Sequence, residues 1–147
     1  MKITSIIKKI SNWSKTKKLT ASIYYPKNIA ELINLQNYLT ENNIKFSIMG
    51  SGNSYGDCFM SRNIINLKNF NKIINFDKKK LNITVESGVK LKDLLNLLIP
   101  NNFIINSLPG TFNATVGGCI GSNVHGKDSH TNGVFGSNII ELKILNK

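Results

Sequence analysis

A mixed fold of strands and helices is what the sequence predicts, and three observations carry that expectation. A strand–helix–strand pattern occupies residues 21–49, a β-hairpin pattern occupies residues 73–86, and residues 108–136 turn abruptly rich in Gly, Ser, Thr and Asn. The chain has 147 residues, 41% of them hydrophobic and 18% charged, which is enough for one ordinary domain with its own core. The aliphatic and aromatic content argues against disorder. Asn, Ile and Lys are used heavily, a compositional bias.

The N-terminal stretch carries Ile3, Ile6, Ile7, Ile10 and Trp13 at helical spacing, with Lys2, Lys8, Lys9, Lys15, Lys17 and Lys18 between and after them. We take residues 1–20 as a basic terminal segment that docks on its own protein. The sharper alternative is an amphipathic helix lying on an anionic membrane. Ala21-Ser22-Ile23-Tyr24-Tyr25 reads as a strand stopped by Pro26. Asn28 then stands as a helix N-cap, with Glu31 placed for a capping box. Ile29, Leu32, Ile33, Leu35 and Leu39 give that helix its apolar side, and Asn42-Asn43 ends it. The next strand covers residues 45–49 and delivers a glycine loop. Ile64-Ile65-Asn66-Leu67 is a short strand beyond it.

Two strands, Ile73-Ile74-Asn75-Phe76-Asp77 and Leu81-Asn82-Ile83-Thr84-Val85-Glu86, flank Lys78-Lys79-Lys80 as the solvated tip of a hairpin. Gly88 breaks the pattern. Leu91, Leu94, Leu95 and Leu98 mark one face of a helix that Pro100 stops. A helical turn is expected around residues 114–121, and residues 139–145 read as a final strand.

Charge and cysteine usage bound the function. The net charge of +11 favours anionic partners such as phosphorylated cofactors, anionic lipid or nucleic acid. The lysines are dispersed, so we read most of this charge as solubility and bias. Cys58 and Cys119 form no C-x-x-C pair and no zinc spacing with His125 and His130, so no metal is assigned. Reduced thiols in a cytoplasmic setting are the expected state. No run is long enough to span a membrane, and the N-terminus lacks the apolar core and cleavage site of a signal peptide.

The stretch Met49-Gly50-Ser51-Gly52-Asn53-Ser54-Tyr55-Gly56-Asp57 follows a short apolar run. Gly reaches positive φ cheaply and lets another molecule approach the backbone. Successive exposed N–H groups in such a turn make a concave anion site, although a plain Gly/Ser connection has the same composition. A Rossmann fingerprint is rejected, because Tyr55 stands where its third glycine belongs and no helix follows. Gly121-Ser122-Asn123-Val124-His125-Gly126-Lys127 starts like a nucleotide-triphosphate loop. Asp128 then replaces the hydroxyl residue that would hold Mg²⁺.

Taken together, Gly50-Ser51-Gly52-Asn53-Ser54-Tyr55-Gly56-Asp57, Leu108-Pro109-Gly110-Thr111, Thr115-Val116-Gly117-Gly118 and Asn123-Val124-His125-Gly126-Lys127 occur in an order and spacing that resembles a known family. The chain looks like the FAD-binding half of the vanillyl-alcohol oxidase / p-cresol methylhydroxylase superfamily. Within it, the likeness is to the branch of decaprenylphosphoryl-ribose 2′-oxidase and the aldonolactone oxidases. The resemblance implies an α+β fold of two small subdomains with FAD laid between them, followed by a substrate domain. The first subdomain would span about residues 21–86. The second would begin near residue 88 and be incomplete at Lys147, with the substrate domain absent, so the chain is expected to be a fragment, a split product or a solitary module.

The resemblance also implies roles. Backbone N–H groups of Gly50, Ser51, Gly52, Asn53 and Ser54 would cradle the FAD pyrophosphate, with Met49, Tyr55, Gly56 and Asp57 lining the same pocket. Gly110, Thr115, Val116, Gly117 and Gly118 would pass along the flavin and its ribityl chain. Ser122, Asn123, Val124 and His125 would sit near the ribityl–isoalloxazine end. His125 and Lys127 would lie close to the reaction, Lys127 facing the substrate. Asn53 stands where many lactone oxidases of this superfamily have a His bonded covalently to the flavin, so noncovalent FAD is expected. The implied activity is oxidation of a sugar or polyol hydroxyl by hydride transfer to FAD, the substrate being soluble or lipid-linked. The lipid-linked case implies association with a cytoplasmic or periplasmic membrane face. Expected partners are FAD, the substrate, and a partner chain or missing C-terminal domain, with no nucleic acid. The alternative is a basic module that binds nucleic acid or membrane without redox activity; it leaves the glycine-rich segments unexplained.

Overall fold

The computed structural model describes residues 3–146. It divides into two compact units, Met1–Phe70 and Asn71–Lys147, each with its own core.

The first unit is a four-stranded sheet covered by one helix. Strands β1 (Ile6–Ser11), β2 (Lys18–Tyr24), β3 (Ser47–Met49) and β4 (Asn63–Asn66) lie in the order β1-β2-β4-β3. Helix α1 (Ile29–Glu41) connects β2 to β3. The strand–helix–strand pattern is therefore present, but β4 lies between its two strands and pairs in parallel with both. A strand buried on both faces is apolar without alternation. In β4, Ile64 packs with Ala21 and Ile23 on one face, and Ile65 packs with Leu32, Leu35, Leu39 and Phe70 on the other.

Helix α1 starts where its cap predicts. The Asn28 side-chain oxygen accepts from the Glu31 N–H at 2.9 Å. The Glu31 carboxylate reaches the Lys27 N–H at 2.8 Å, one residue before the N–H that a standard capping box uses. At the other end the Asn42 amide donates to the Tyr38 carbonyl, and Asn43 takes a positive φ of 55° that stops the helix.

Residues 6–11 of the N-terminal stripe form a strand, which corrects the helical reading. β1 pairs antiparallel with β2 from Ile6↔Ile23 to Ser11↔Lys18. Its run of β-branched residues suits a pleated edge, and the ladder satisfies backbone groups that a short helix would leave open. Ile10 packs on the sheet core, while Ile6 and Ile7 are exposed. Lys2, part of the same stripe, lies outside the described residues.

The second unit begins with the hairpin of β5 (Ile73–Asp77) and β6 (Asn82–Val85). At its tip the Asp77 carboxylate accepts from the N–H groups of Lys79 and Lys80, both at 3.0 Å, and the three lysines are exposed. Helix α2 (Leu91–Leu98) buries Leu91, Leu94, Leu95 and Leu98, as their spacing predicts, and passes into a 3₁₀ turn (Ile99–Asn101) that contains Pro100. Helices α3 (Val116–Gly121) and α4 (Ser129–Asn132) are short. The core gathers Val89, Leu91, Leu94, Leu98, Val116, Cys119 and Phe135, and Ile73, Phe76, Ile83 and Val85 of the hairpin pack on it. That packing places the hairpin in the second unit, whereas the resemblance puts the subdomain boundary near residue 86. The apolar side of the hairpin needs a cover, and the core of the second unit supplies it.

Residues 139–145, expected as a strand, follow a second 3₁₀ turn (Phe135–Asn138) and join no ladder among the described residues. A β pattern becomes a strand only where a partner edge accepts its hydrogen bonds. Ile140 and Ile144 remain exposed. No helix among the described residues is long and apolar enough to cross a membrane.

The two thiols are in opposite environments. Cys119 is fully buried, and desolvation pushes its pKa up to about 11, whereas Cys58 is exposed. A thiol-reactive disulfide reagent should therefore label one cysteine per native chain quickly and the second only on unfolding. Two fast equivalents in the native chain would contradict this core.

Candidate functional site

In the first unit, β3 delivers the glycine loop at its C-terminal end. The Met49 carbonyl accepts from the Leu67 N–H at 3.1 Å, and the Asn66 amide donates to the Gly50 carbonyl at 3.1 Å. The loop is thus tied to the central strand as it leaves the sheet. Gly52 has φ +72°, a region that a β-branched residue enters only with strain. Ser51, Tyr55, Gly56 and Asp57 are exposed, while Met49, Gly50, Gly52, Asn53 and Ser54 are half-buried.

The loop is held through a few of its carbonyls. The carbonyls at Gly50, Ser54 and Tyr55 are taken by donors of the same unit, whereas those at Ser51, Gly52 and Asn53 accept from no partner among the described residues. Trp13 N–H donates to Ser54 at 3.0 Å, and the Asn12 amide and Ser14 hydroxyl donate to Tyr55 at 2.8 and 2.9 Å. None of the N–H groups of Ser51, Gly52, Asn53, Ser54 and Tyr55 donates to a partner among the described residues. The Asn53 side-chain nitrogen is buried and also lacks a partner among them. Asp57 pairs with Lys17.

In the second unit, the other expected site residues sit on a segment laced against residues 87–92. Val116 N–H donates to Val89 and Gly117 N–H to Ser87, both at 2.8 Å. Leu91 N–H donates to Ala114 and Lys92 N–H to Phe112, both at 2.9 Å, so these carbonyls cap the first turn of α2. Thr115, itself buried, caps α3 by accepting from Gly118 N–H at 3.2 Å. Gly117 lies so close to Ser87 that a β-carbon there would stand 2.9 Å from the Ser87 Cβ and 3.0 Å from its carbonyl oxygen. Thr115, Val116 and Gly117 are therefore fixed by packing; Gly110 and Gly118 are exposed.

Beyond α3, Ser122 and Asn123 are exposed and Val124 is half-buried. The Asn123 side chain accepts from Gly136 N–H at 3.1 Å, and Val124 accepts from Phe135 N–H at 2.8 Å. His125 and Lys127 are exposed, and neither side chain makes a hydrogen bond or ion pair among the described residues. The backbone between them is pinned, because Gly126 N–H donates to the Ser107 hydroxyl at 3.3 Å. Ser107 is buried, donates through its hydroxyl to Gly133 at 2.6 Å and through its N–H to Asp128 at 3.2 Å. Asp128, which the loop pattern read only as a mismatch, is the acceptor that organises this turn. Asn12, Ser14 and Ser107 were also missed. The Ser/Asn/Thr clustering of residues 11–16 was the available turn signal for the first two. Ser107 had no comparable signal.

Two carboxylates carry a pH consequence. The Lys17 ammonium, by hydrogen bond and then by charge, holds the Asp57 carboxyl below its ordinary 3.8. The Asn132 amide and the Ser107 N–H, with His130 nearby, do the same for Asp128. A folded pKa below the unfolded one stabilises above the unfolded value and loses that contribution as pH falls through the folded value. Unfolding midpoints should therefore decline below about pH 4, and Asp128→Asn should flatten that decline. An unchanged slope in the variant would remove Asp128 from the acid response.

A family profile described as "FAD binding domain" matches residues 20–147. Decaprenylphosphoryl-beta-D-ribose oxidase of Mycolicibacterium smegmatis is 29% identical over 141 residues, covering 94% of this chain and 31% of the relative. L-gulonolactone oxidase of Mus musculus is 28% identical over 136 residues, covering 91% of this chain and 31% of the relative. The chain thus spans about a third of the length of these curated relatives. Among solved structures, cholesterol oxidase from B. sterolicum shares the fold at a TM-score of 0.76 and 20% identity, over 84% of this chain and 25% of that one. An alkyldihydroxyacetonephosphate synthase shares it at a TM-score of 0.70 and 18% identity, over 80% of this chain and 25% of that one. With the profile spanning both units and the glycine segments in place within each, the chain belongs to the FAD binding domain family.

Proposed function

We propose that this chain is the FAD-binding portion of an oxidoreductase that oxidises a sugar or polyol hydroxyl, and that it holds FAD without a covalent bond. The observation that carries the reading is the run of unpartnered N–H groups in the glycine loop. Three of its carbonyls, at Gly50, Ser54 and Tyr55, are taken inside the unit, while consecutive N–H groups from Ser51 to Tyr55 have no partner among the described residues. Such a run of free N–H groups fits a pyrophosphate. The orphaned Asn53 amide fits too, since a buried donor without an acceptor costs about 1–3 kcal/mol until a ligand oxygen meets it. The relatives named as a ribose oxidase and a gulonolactone oxidase support the substrate class. Family membership favours this reading over the basic binding module.

On this reading, residues 50–54 bind the pyrophosphate, and Met49, Tyr55, Gly56 and Asp57 shape the loop around it. Gly110, Thr115, Val116, Gly117 and Gly118 supply a backbone surface for the flavin and ribityl chain, fixed at Thr115, Val116 and Gly117, and Ser122, Asn123, Val124 and His125 continue it. Lys127 is an exposed cation without an anion among the described residues, suited to stabilise negative charge near the reacting centre or to bind an anionic substrate. Bound FAD would supply the two-electron acceptor. Remaining substrate contacts and the proton acceptor are assigned to chain beyond these residues or to a partner chain. Association with a membrane face would follow if the substrate is lipid-linked.

Two measurements test this. Asn53 offers no imidazole for a flavin bond in the loop. Acid precipitation of the FAD-loaded protein should leave the flavin in the supernatant, and yellow colour in the pellet would refute noncovalent binding. Gly52→Val should abolish FAD retention, because its φ of +72° excludes a β-branched residue from this turn. Full flavin content in that variant would take the loop out of the site.

A further inference from the structure

The β1–β2 turn, residues 12–17, does more than connect two strands. Asn12 is 3% exposed although it lies in a surface turn. Its side-chain oxygen accepts from Lys17 N–H at 3.1 Å, and its amide reaches the Ser14 and Thr16 hydroxyls, each at 2.9 Å. The same amide donates to the Tyr55 carbonyl, 43 residues away in sequence, and the Ser14 hydroxyl donates to that carbonyl as well. Trp13 N–H takes the Ser54 carbonyl, and Lys17 pairs with Asp57. Four consecutive loop positions, from 54 to 57, thus include three that are anchored to one turn. The turn lies outside the family match, which begins at residue 20.

We propose that the residue 12–17 turn is a positioning clamp for the cofactor loop, with Asn12 as its centre. By drawing the Ser54 and Tyr55 carbonyls onto its donors, the clamp fixes which polar groups of the loop remain for a ligand. A loop released from it could turn its carbonyls toward a pyrophosphate and repel it. Asn12 touches no ligand in this scheme; it acts through the loop backbone. The inference rests on the reading of residues 50–54 as the FAD pyrophosphate site.

The test is FAD affinity, followed by flavin fluorescence, in the wild-type chain and in Asn12→Ala, Asn12→Asp and Ser14→Ala, with apo melting temperatures measured alongside. Asn12→Asp keeps the acceptor for Lys17 N–H but loses the donor to Tyr55. A clamp predicts that both Asn12 variants raise the FAD Kd about tenfold and Ser14→Ala about threefold. A turn that merely stabilises the fold predicts wild-type affinity in Asn12→Asp, and that result overturns the proposal. Wild-type affinity in both Asn12 variants overturns it equally. Should the Asn12 variants fail to fold, Ser14→Ala decides: a weakened Kd supports the clamp and an unchanged one refutes it. A wild-type chain that binds no FAD overturns the cofactor reading and the clamp together, whereas wild-type binding with unaffected variants overturns the clamp alone.

Discussion

The first unit depends on the parallel pairing of β4 with β2 on one side and β3 on the other. Ile64 and Ile65 are both fully buried and face opposite layers, so this one short strand joins the sheet core to the helix core. Removing either side chain would open a cavity costing about 2–5 kcal/mol. The same strand determines where the glycine loop starts. Asn66 at its end holds the Gly50 carbonyl, and the next residue, Leu67, holds Met49. Loop geometry here is thus inherited from the least exposed element of the unit.

The second unit uses a different device. Its equivalent of a rigid frame is backbone lacing between residues 87–92 and 112–117, with the buried face of α2 behind it. Carbonyls of the site segment serve as the cap that α2 lacks from side chains, since Lys90 makes no capping bond. One set of hydrogen bonds therefore starts the helix and fixes the segment. Exposed groups such as His125 and Lys127 stand on loops whose backbones are pinned at Ser107 and Asp128, so exposure there does not mean a loose chain.

Much of this was legible beforehand, for local reasons. The Asn28 cap, the leucine face of α2, the hairpin around the three lysines and the glycine loop each depend on neighbours a few residues away. The departures involve distant partners. Ile6, Ile7 and Ile10 can be spaced along a helix or a strand, and only the ladder to β2 decides between them. The 139–145 stretch has a strand pattern without a partner edge among the described residues. The unit boundary follows the packing of Ile73, Phe76, Ile83 and Val85 on the core of the second unit, which no linker composition announces. In the site, glycines and Asn53 were visible as types, but the donors on Asn12 and Ser14 that hold the Tyr55 carbonyl come from about 40 residues upstream.

The edge position of β1 gives its lysines another meaning. An edge strand presents unpaired backbone groups to any other extended chain, and Ile6 and Ile7 alone would make it an inviting template for sheet growth. Lys8 and Lys9 stand exposed in the middle of that strand. A second copy approaching in register would bring like charges together and strip water from them. Lysines at these positions disfavour edge-to-edge pairing, a consequence of positive charge that involves no ligand.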